Sequence, residues 1–189
     1  MLEYGGIPRL RAGLSGCKAS QSEMNPRPGR SITVQTYDGS DVSNSIEFDP
    51  SPAMVAVQRR SLRRGNLILA EARPLGPPSG RYNCHGLVFA SRRTNVPTVG
   101  LFDEGVIDDL LTRDVYEKIS SLPQTGDIIV YRSDTGEIEH TGFVSRIEDI
   151  SSVRIVFVWS KWGALEEYEH REKVCPYGNC TIEYWRLKR

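Results

Sequence analysis

The sequence predicts an α+β fold, because two helical segments precede a series of strands. Residues 85–93 are predicted to form a short helix, and apolar residues recur every three or four positions between Phe102 and Ile119. After Pro123 the apolar residues follow the period of strands. The predicted strands cover residues 126–131, 140–144, 153–159 and 181–185. Helices that are segregated from an antiparallel meander are typical of α+β proteins.

Composition divides the chain into three parts. Residues 1–30 are rich in Gly, Pro, Ser and Arg and show no periodicity, so we expect a flexible tail. Residues 31–75 contain a strand pattern at 32–37 and a turn at 38–41. This pattern predicts a small β-rich segment or the first part of the main fold. Residues 76–189 hold the helices and strands described above and should form the main domain.

The overall charge and hydropathy exclude several classes of function. The chain has 189 residues, 39% of them hydrophobic, and its 24 Lys and Arg side chains equal its 24 Asp and Glu side chains. This neutral balance gives no reason to expect nucleic acid as a partner. No apolar run approaches the ~20 residues that span a bilayer, so we expect no transmembrane segment. No signal peptide is recognisable, which favours the cytoplasm, although secretion or delivery into another cell stays open.

Cys84 and His140 carry the strongest chemical signal. Cys84 lies where a segment rich in Pro and Gly, residues 74–80, leads into the first predicted helix. The positive end of a helix and a neighbouring imidazolium both lower the pKa of a thiol, and the thiolate is the nucleophile. His140 begins a predicted strand that can face this helix. Together the two residues suggest a nucleophile and its general base, whereas either one alone is more often structural.

Three further residues are candidates for the oxyanion site and the substrate cleft. Tyr82 could add a phenolic donor to the backbone N–H groups at the start of the helix. His85 is adjacent to Cys84 and points elsewhere, so it is a poor base and is expected to line the cleft or to bond locally. Trp162 is expected to line the pocket, although aromatic residues at such spacing often belong to a core.

Three short motifs surround the candidate residues. Residues 83–88 read Asn-Cys-His-Gly-Leu-Val, residues 126–131 read Gly-Asp-Ile-Ile-Val-Tyr, and residues 140–144 read His-Thr-Gly-Phe-Val. They resemble the Asp-Cys-Ser-Gly-Leu-Val, Gly-Asp-Leu-Val-Phe and His-Val-Gly-Ile-Tyr motifs of the NlpC-type cell-wall peptidases, a papain-like family. The resemblance implies a papain-like fold, with the Cys84 helix packed on the antiparallel sheet. It also implies cleavage of an amide bond in a peptide or protein through a Cys84 thioester, with His140 as base and no cofactor.

The family has a third polar residue that orients the imidazole, and here the sequence departs from its pattern. Residues 160–163 resemble the Asn-Ser-Trp-Gly of papain-type peptidases, which would put Ser160 where the orienting Asn belongs. Its hydroxyl could accept a hydrogen bond from the imidazole. We favour His170 as the third member, because an imidazole can also accept, and keep Ser160 as its rival. Glu166 and Glu167 are weaker candidates for this third position.

Other functions are compatible with the same residues. Transfer to another amine or glutamine deamidation would use the same groups. A protein substrate, as for a toxin or effector, is the main alternative to cell-wall peptide. A zinc-binding module is a further alternative, although Cys175 and Cys180 lack the tight spacing of a zinc knuckle. These two cysteines enclose a turn and could form a local disulfide or stay reduced. A non-catalytic module with the papain-like shape also stays open.

Overall fold

The structure, a computed structural model, describes residues 31–65, 70–98, 105–113 and 115–188. The expected tail, residues 1–30, and Phe102 lie outside these ranges. The helices within them are α1 (Pro52–Gly65), α2 (Cys84–Phe89) and α3 (Val106–Arg113). The strands are β1 (Arg73–Pro74), β2 (Tyr116–Ile119), β3 (Ile128–Arg132), β4 (Ile138–Ile150), β5 (Val153–Lys161), β6 (Glu167–Arg171) and β7 (Thr181–Leu187). None of the described helices has the length and apolar character needed to cross a membrane.

The seven strands form one antiparallel sheet in the order β1-β6-β5-β4-β3-β7-β2. Strands β3 to β6 make a meander, in which β4 and β5 are the longest elements. The chain then returns, so that β7 pairs with the outer side of β3. The predicted α+β class, with helices separate from an antiparallel sheet, is confirmed.

One face of the sheet packs against α2, α3 and the first part of the N-terminal segment. The buried residues that form this core are Val34, Val42, Ala90, Val96, Val106, Ile107, Leu110, Leu111, Ile128, Val130 and Ile138. Residues 31–50 therefore contribute Val34 and Val42 to the same core as β3. They belong to the main fold and do not form a separate unit.

The opposite face of the sheet has two smaller clusters. Ile129 and Tyr131 alternate along β3 with the residues of the first core, so they point to this other face, where they meet Cys175. Helix α1 places Val55 in a second cluster, against Trp162. The sheet is thus buried on both faces, which explains the continuous apolar sequence of β3.

The segment 31–75, which the sequence predicts to be β-rich, contains a helix of 14 residues instead. Its described strand structure is limited to isolated bridges and the two residues of β1. The helix begins where the Ser51 hydroxyl accepts from the Met54 N–H, 3.3 Å away, and Pro52 occupies the first helical position. The expectation of a β-rich segment is therefore wrong for Pro52–Gly65.

The second predicted helix is shorter than its pattern suggests. Helix α3 ends at Arg113, and the sequence predicts a helix as far as Ile119. Residues Tyr116–Ile119 instead pair with Tyr184–Leu187 of β7, and Lys118 forms an ion pair with Glu183. Long-range strand pairing has overridden a local helical period, which is a common outcome for short segments.

Candidate active site

Cys84 is the first residue of α2, and the residue before it anchors the helix. The side-chain oxygen of Asn83 accepts from the backbone N–H of Gly86 at 2.8 Å and from that of Val96 at 3.1 Å. Its amide nitrogen donates to the Val96 carbonyl at 2.7 Å. The cap is therefore fixed to the segment that follows the helix, and Cys84 is held in one position.

The sulfur of Cys84 lies in a buried pocket lined with backbone N–H groups. Cys84 is 6% exposed, and the N–H groups of Thr141, His85 and Cys84 itself face its sulfur. Burial raises the pKa of the Cys84 thiol to about 11, and the three N–H groups oppose this shift only in part. The low thiol pKa that the sequence analysis expects is therefore wrong for this state of the site.

His140 lies on β4, immediately before the residue whose N–H reaches the Cys84 sulfur. It is 0% exposed, and within the described part of the chain neither of its ring nitrogens has a hydrogen-bond partner. Its ring contacts those of Tyr131 and Tyr177, with centroids 5.6 and 5.1 Å apart. Burial, with smaller contributions from His170 and His85, holds the pKa of His140 well below its usual range. The thiol and the imidazole are thus both neutral near pH 7, and no hydrogen bond joins them.

The two candidates for the third position, Ser160 and His170, are hydrogen-bonded to each other. Ser160 Oγ lies 2.8 Å from His170 Nε2, and the indole N–H of Trp162 donates to Ser160 Oγ at 3.0 Å. Nδ1 of His170 lies 2.8 Å from the Arg171 carbonyl. Burial lowers the pKa of His170 to about 4. Neither candidate orients His140 in this arrangement.

Trp162 and His85 are core residues, although the sequence analysis expects both at a cleft. Trp162 is 2% exposed and stacks on Tyr168, with ring centroids 4.3 Å apart. His85 is buried, and its two ring nitrogens lie 3.0 Å from Thr141 Oγ1 and 3.1 Å from Thr98 Oγ1. Burial lowers its pKa to about 4. His85 therefore fastens α2 to β4, which is the local bonding that we kept as its alternative role.

Tyr82 and Glu167 form part of a polar cluster on the face that carries α2. The phenolic O–H of Tyr82 donates to Glu167 at 2.5 Å, and Arg92 donates to the same carboxylate at 2.6 Å. The Trp159 N–H donates to its other oxygen at 2.7 Å. Burial and this carboxylate raise the pKa of Tyr82. The Tyr82 phenol and the Glu167 carboxylate are hydrogen-bonded within this cluster. Tyr82 therefore does not supply the expected phenolic donor, and Glu167 does not orient His140.

Lys161 is a buried cation that is not among the residues predicted from the sequence. It is 0% exposed, and its ammonium group donates to the carbonyls of Ser79, Gly163 and Leu165 at 2.8, 2.7 and 2.5 Å. Burial lowers its pKa to about 8. Lys161 thus ties together the segment before α2 and the turn after β5. Its position in β5, two residues after the inward-facing Trp159, is the signal that could have identified it.

A groove of about 970 Å³ lies beside the start of α2. It is lined by residues 31–34 and 41–45 of the N-terminal segment, and by Tyr82, Asn83 and Gly163. Of the described residues that line it, two are carboxylates and none is Lys or Arg. The groove therefore reaches the residue before Cys84 and offers an acidic to neutral surface there.

No group of three His, Cys, Asp or Glu side chains is arranged to hold a metal ion within the residues that the structure describes. The zinc-binding alternative thus finds no support in that part of the chain.

No protein-family model matches this chain, and no curated protein or solved structure matches it either. Any function must therefore be argued from the geometry described above.

Proposed function

We propose that this chain is a papain-like cysteine hydrolase, with Cys84 as the nucleophile and His140 as its general base. The proposal is supported by a helix that starts at a cysteine and packs on an antiparallel sheet, next to a strand that carries a histidine. The three motifs that resemble NlpC-type peptidases contain both residues. A likeness in motifs does not by itself assign a function, so the proposal rests on the chemistry of the site.

The single observation that carries the proposal is the imidazole of His140. It is fully buried, and among the described residues nothing forms a hydrogen bond with either ring nitrogen. A buried polar group without a partner costs about 1–3 kcal/mol, so such groups are rare and need a reason. A base that must accept a proton from Cys84 and then donate it to a leaving group supplies that reason.

The proposed reaction begins with transfer of the Cys84 proton to His140. The thiolate attacks the carbonyl carbon of an amide, and the carbonyl oxygen gains the negative charge. In the proposed reaction, backbone N–H groups at the start of α2, which face the Cys84 sulfur, stabilise this oxyanion. His140 then protonates the leaving amine, which leaves a thioester on Cys84. Water releases the acid, whereas attack by another amine would complete a transfer.

The proposed substrate is a peptide or an unfolded protein segment that lies in the groove beside Asn83. The absence of Lys and Arg from the described lining favours a neutral or amine-bearing chain over an acidic one. Cell-wall peptide is the candidate that the motif resemblance implies, and a protein substrate of a toxin or effector is the alternative. Hydrolysis requires that the buried Cys84 and His140 become accessible, so the proposal treats the described arrangement as a closed state.

A second candidate is a non-catalytic module that retains the same shape. The observation in its favour is that Cys84 and His140 are not hydrogen-bonded and that the thiol pKa is raised to about 11. In such a module Cys84 would be a structural thiol, and replacing His140 would not alter its reactivity.

The experiment that separates the two candidates is alkylation of Cys84 by iodoacetamide at several pH values, with mass spectrometry of each cysteine peptide. In the folded wild type we expect a rate that rises with pH. In the His140→Gln variant we expect the rate near pH 7 to fall at least tenfold, because the base is lost. Cys180 in the same samples is the control, since its rate should not change. Equal Cys84 rates in the two proteins would overturn the hydrolase proposal.

Activity is tested in parallel on cell-wall stem peptides and on a mixture of protein-derived peptides. We expect cleavage by the wild type and an acyl mass on Cys84 after an acid quench. Cleavage should be lost in Cys84→Ala and His140→Gln. Cleavage that persists in Cys84→Ala would show that the nucleophile is misassigned.

A further inference from the structure

Two free cysteines enclose the turn between β6 and β7. The sulfurs of Cys175 and Cys180 lie 3.8 Å apart, with the residues 176–179 between them. Cys175 is buried against Ile129 and Tyr131, whereas Cys180 is partly exposed. A disulfide needs a separation of about 2.05 Å, so a small movement within this short loop would close the bond. Closure would not require the sheet to rearrange.

The same loop places an aromatic ring over the candidate base. The ring of Tyr177 lies 5.1 Å from that of His140, at 44°. Tyr177 is 45% exposed and His140 is 0% exposed, so the tyrosine separates the imidazole from solvent on this side. The backbone N–H of Gly163, which lines the groove, bonds to the Tyr177 oxygen. The Tyr177 ring thus covers His140 on the side of this loop.

We propose that the loop Cys175–Cys180 is a redox-controlled cover of the Cys84 site: its disulfide holds Tyr177 over His140, and reduction allows the loop to open. The inference rests on the proposed function only in treating Cys84 and His140 as the site. A closed six-residue ring has fewer conformations than the open loop, so the disulfide disfavours the states in which Tyr177 has moved away. In the reduced loop no covalent bond opposes this movement, which has to break noncovalent contacts such as that between Tyr177 and His140.

The oxidant is a low-molecular-weight disulfide, such as oxidised glutathione. Cys180 is the more exposed thiol, so its thiolate attacks the glutathione disulfide and releases one glutathione thiol. The Cys175 thiolate then attacks the mixed disulfide and releases the second glutathione thiol. Two protein thiols lose two protons and two electrons, and one glutathione disulfide becomes two thiols.

The test uses the full chain, equilibrated in glutathione buffers from reducing to oxidising. The Cys84 alkylation rate is measured in each buffer, and mass spectrometry reports the disulfide and any glutathione on Cys84. In the wild type we expect the Cys175–Cys180 disulfide to form and the Cys84 rate to fall at least tenfold. In Cys180→Ala, which cannot form this bond, we expect a rate that is independent of the buffer. A disulfide that leaves the wild-type rate unchanged, or a slowing that persists in Cys180→Ala, would overturn the proposal.

A second variant, Tyr177→Ala, keeps both cysteines and removes the covering ring. We expect its disulfide to form as in the wild type, while Cys84 reacts rapidly in both redox states. Slowing by oxidation that is as large as in the wild type would refute the role of Tyr177. The hydrolase proposal and the redox proposal can fail independently of each other. The first requires that Cys84 reactivity depend on His140, and the second requires that access to Cys84 depend on the redox buffer.

Discussion

Ser160 and His170 are hydrogen-bonded to each other, with Oγ and Nε2 2.8 Å apart. The carbonyl of Arg171 can only accept, so Nδ1 of His170 donates to it and Nε2 must accept the Ser160 proton. The indole N–H of Trp162 in turn donates to Ser160 Oγ. The two residues that the sequence offers as partners of His140 therefore satisfy one another, in a buried network between β5 and β6.

Replacing Ser160 by Ala should affect stability and leave the candidate site unchanged. The substitution leaves His170 Nε2 and the Trp162 N–H unpaired, so we expect the free energy of unfolding to fall by about 1–3 kcal/mol in urea titrations. The alkylation rate of Cys84 in the native protein should stay constant. The exposed Ser121→Ala is the matched control. A loss of Cys84 reactivity at unchanged stability would mean that this network orients His140 after all.

Gly86 should not tolerate a side chain. A Cβ at this position would lie 1.8 Å from the carbonyl oxygen of Thr94, so α2 would have to move away from the segment that follows it. We expect Gly86→Ala to lower the free energy of unfolding by about 1–3 kcal/mol or more, and to speed alkylation of Cys84. Gly76→Ala is the control, because no atom lies within 4 Å of its added Cβ. Equal thermal midpoints for the two variants would contradict this packing.

Lys161 should be required for the turn after β5. Its ammonium group is the donor to three carbonyls, and Lys161→Met would remove all three hydrogen bonds. We expect a loss of at least about 2 kcal/mol in the free energy of unfolding, because each unsatisfied buried carbonyl costs about 1–3 kcal/mol. The exposed Lys173→Met, measured by the same urea titration, should change it by less than about 0.5 kcal/mol. Similar losses in both variants would show that the methionine itself, and not the missing bonds, is the cause.

The three buried histidines should make the protein sensitive to mild acid. Burial holds the pKa values of His85 and His170 at about 4, and that of His140 is also lowered, whereas the unfolded chain takes up these protons near 6.5. Stability is therefore full above about pH 7 and is lost as the pH falls from 6.5 towards 4. Between pH 7 and 5 we expect a loss of about 2 kcal/mol for each of His85 and His170.

The His85→Gln variant isolates one of these contributions. Between pH 7 and 5, the free energy of unfolding should fall by about 2 kcal/mol less in the variant than in the wild type. This difference does not depend on the stability of the variant at pH 7. Urea titrations at both pH values give the two differences. An unchanged pH dependence would mean that His85 titrates normally in the folded protein.

The strands of the sheet centre could be predicted because burial on both faces leaves a plain apolar signal. The prediction of a strand at 126–131 corresponds to Ile128–Arg132, and that at 140–144 lies within β4. The N-terminal helix α1 was not predicted, because it lacks such an apolar signal. Its signal is local, a Ser51 cap before Pro52, but among the α1 side chains that the structure describes only Val55 is buried.

Strand β6 could not be predicted because its charges are compensated from far along the chain. Its Glu167 and Glu169, which lie on the sheet face of Lys161 and Trp159, belong to a short acidic stretch of the sequence. In the fold they meet Arg92 and Arg73, which are 75 and 96 residues away. No local pattern indicates that such distant cations will neutralise a strand.

The candidate pair was identified from residue types, but its electrostatic state was not. The sequence suggests that the start of α2 should lower the pKa of Cys84, and the N–H groups do act in that direction. The opposing effect is burial. Burial arises only in the tertiary structure, in which Cys84 is 6% exposed. That these residues catalyse a reaction stays a prediction.

The short strand β1 changes where the folding unit has to begin. Arg73 and Pro74 pair with Glu169 and Tyr168, and the N–H of Leu75 donates to the Glu167 carbonyl at 2.8 Å. A chain cut at residue 76, the boundary that the sequence suggests, would leave this side of β6 uncovered. An uncovered strand is a template for the strand of another molecule, and Pro74 limits such growth because it lacks an N–H. Copies of a fragment that begins at residue 76 would therefore tend to associate with one another, whereas a fragment that keeps β1 would stay monomeric.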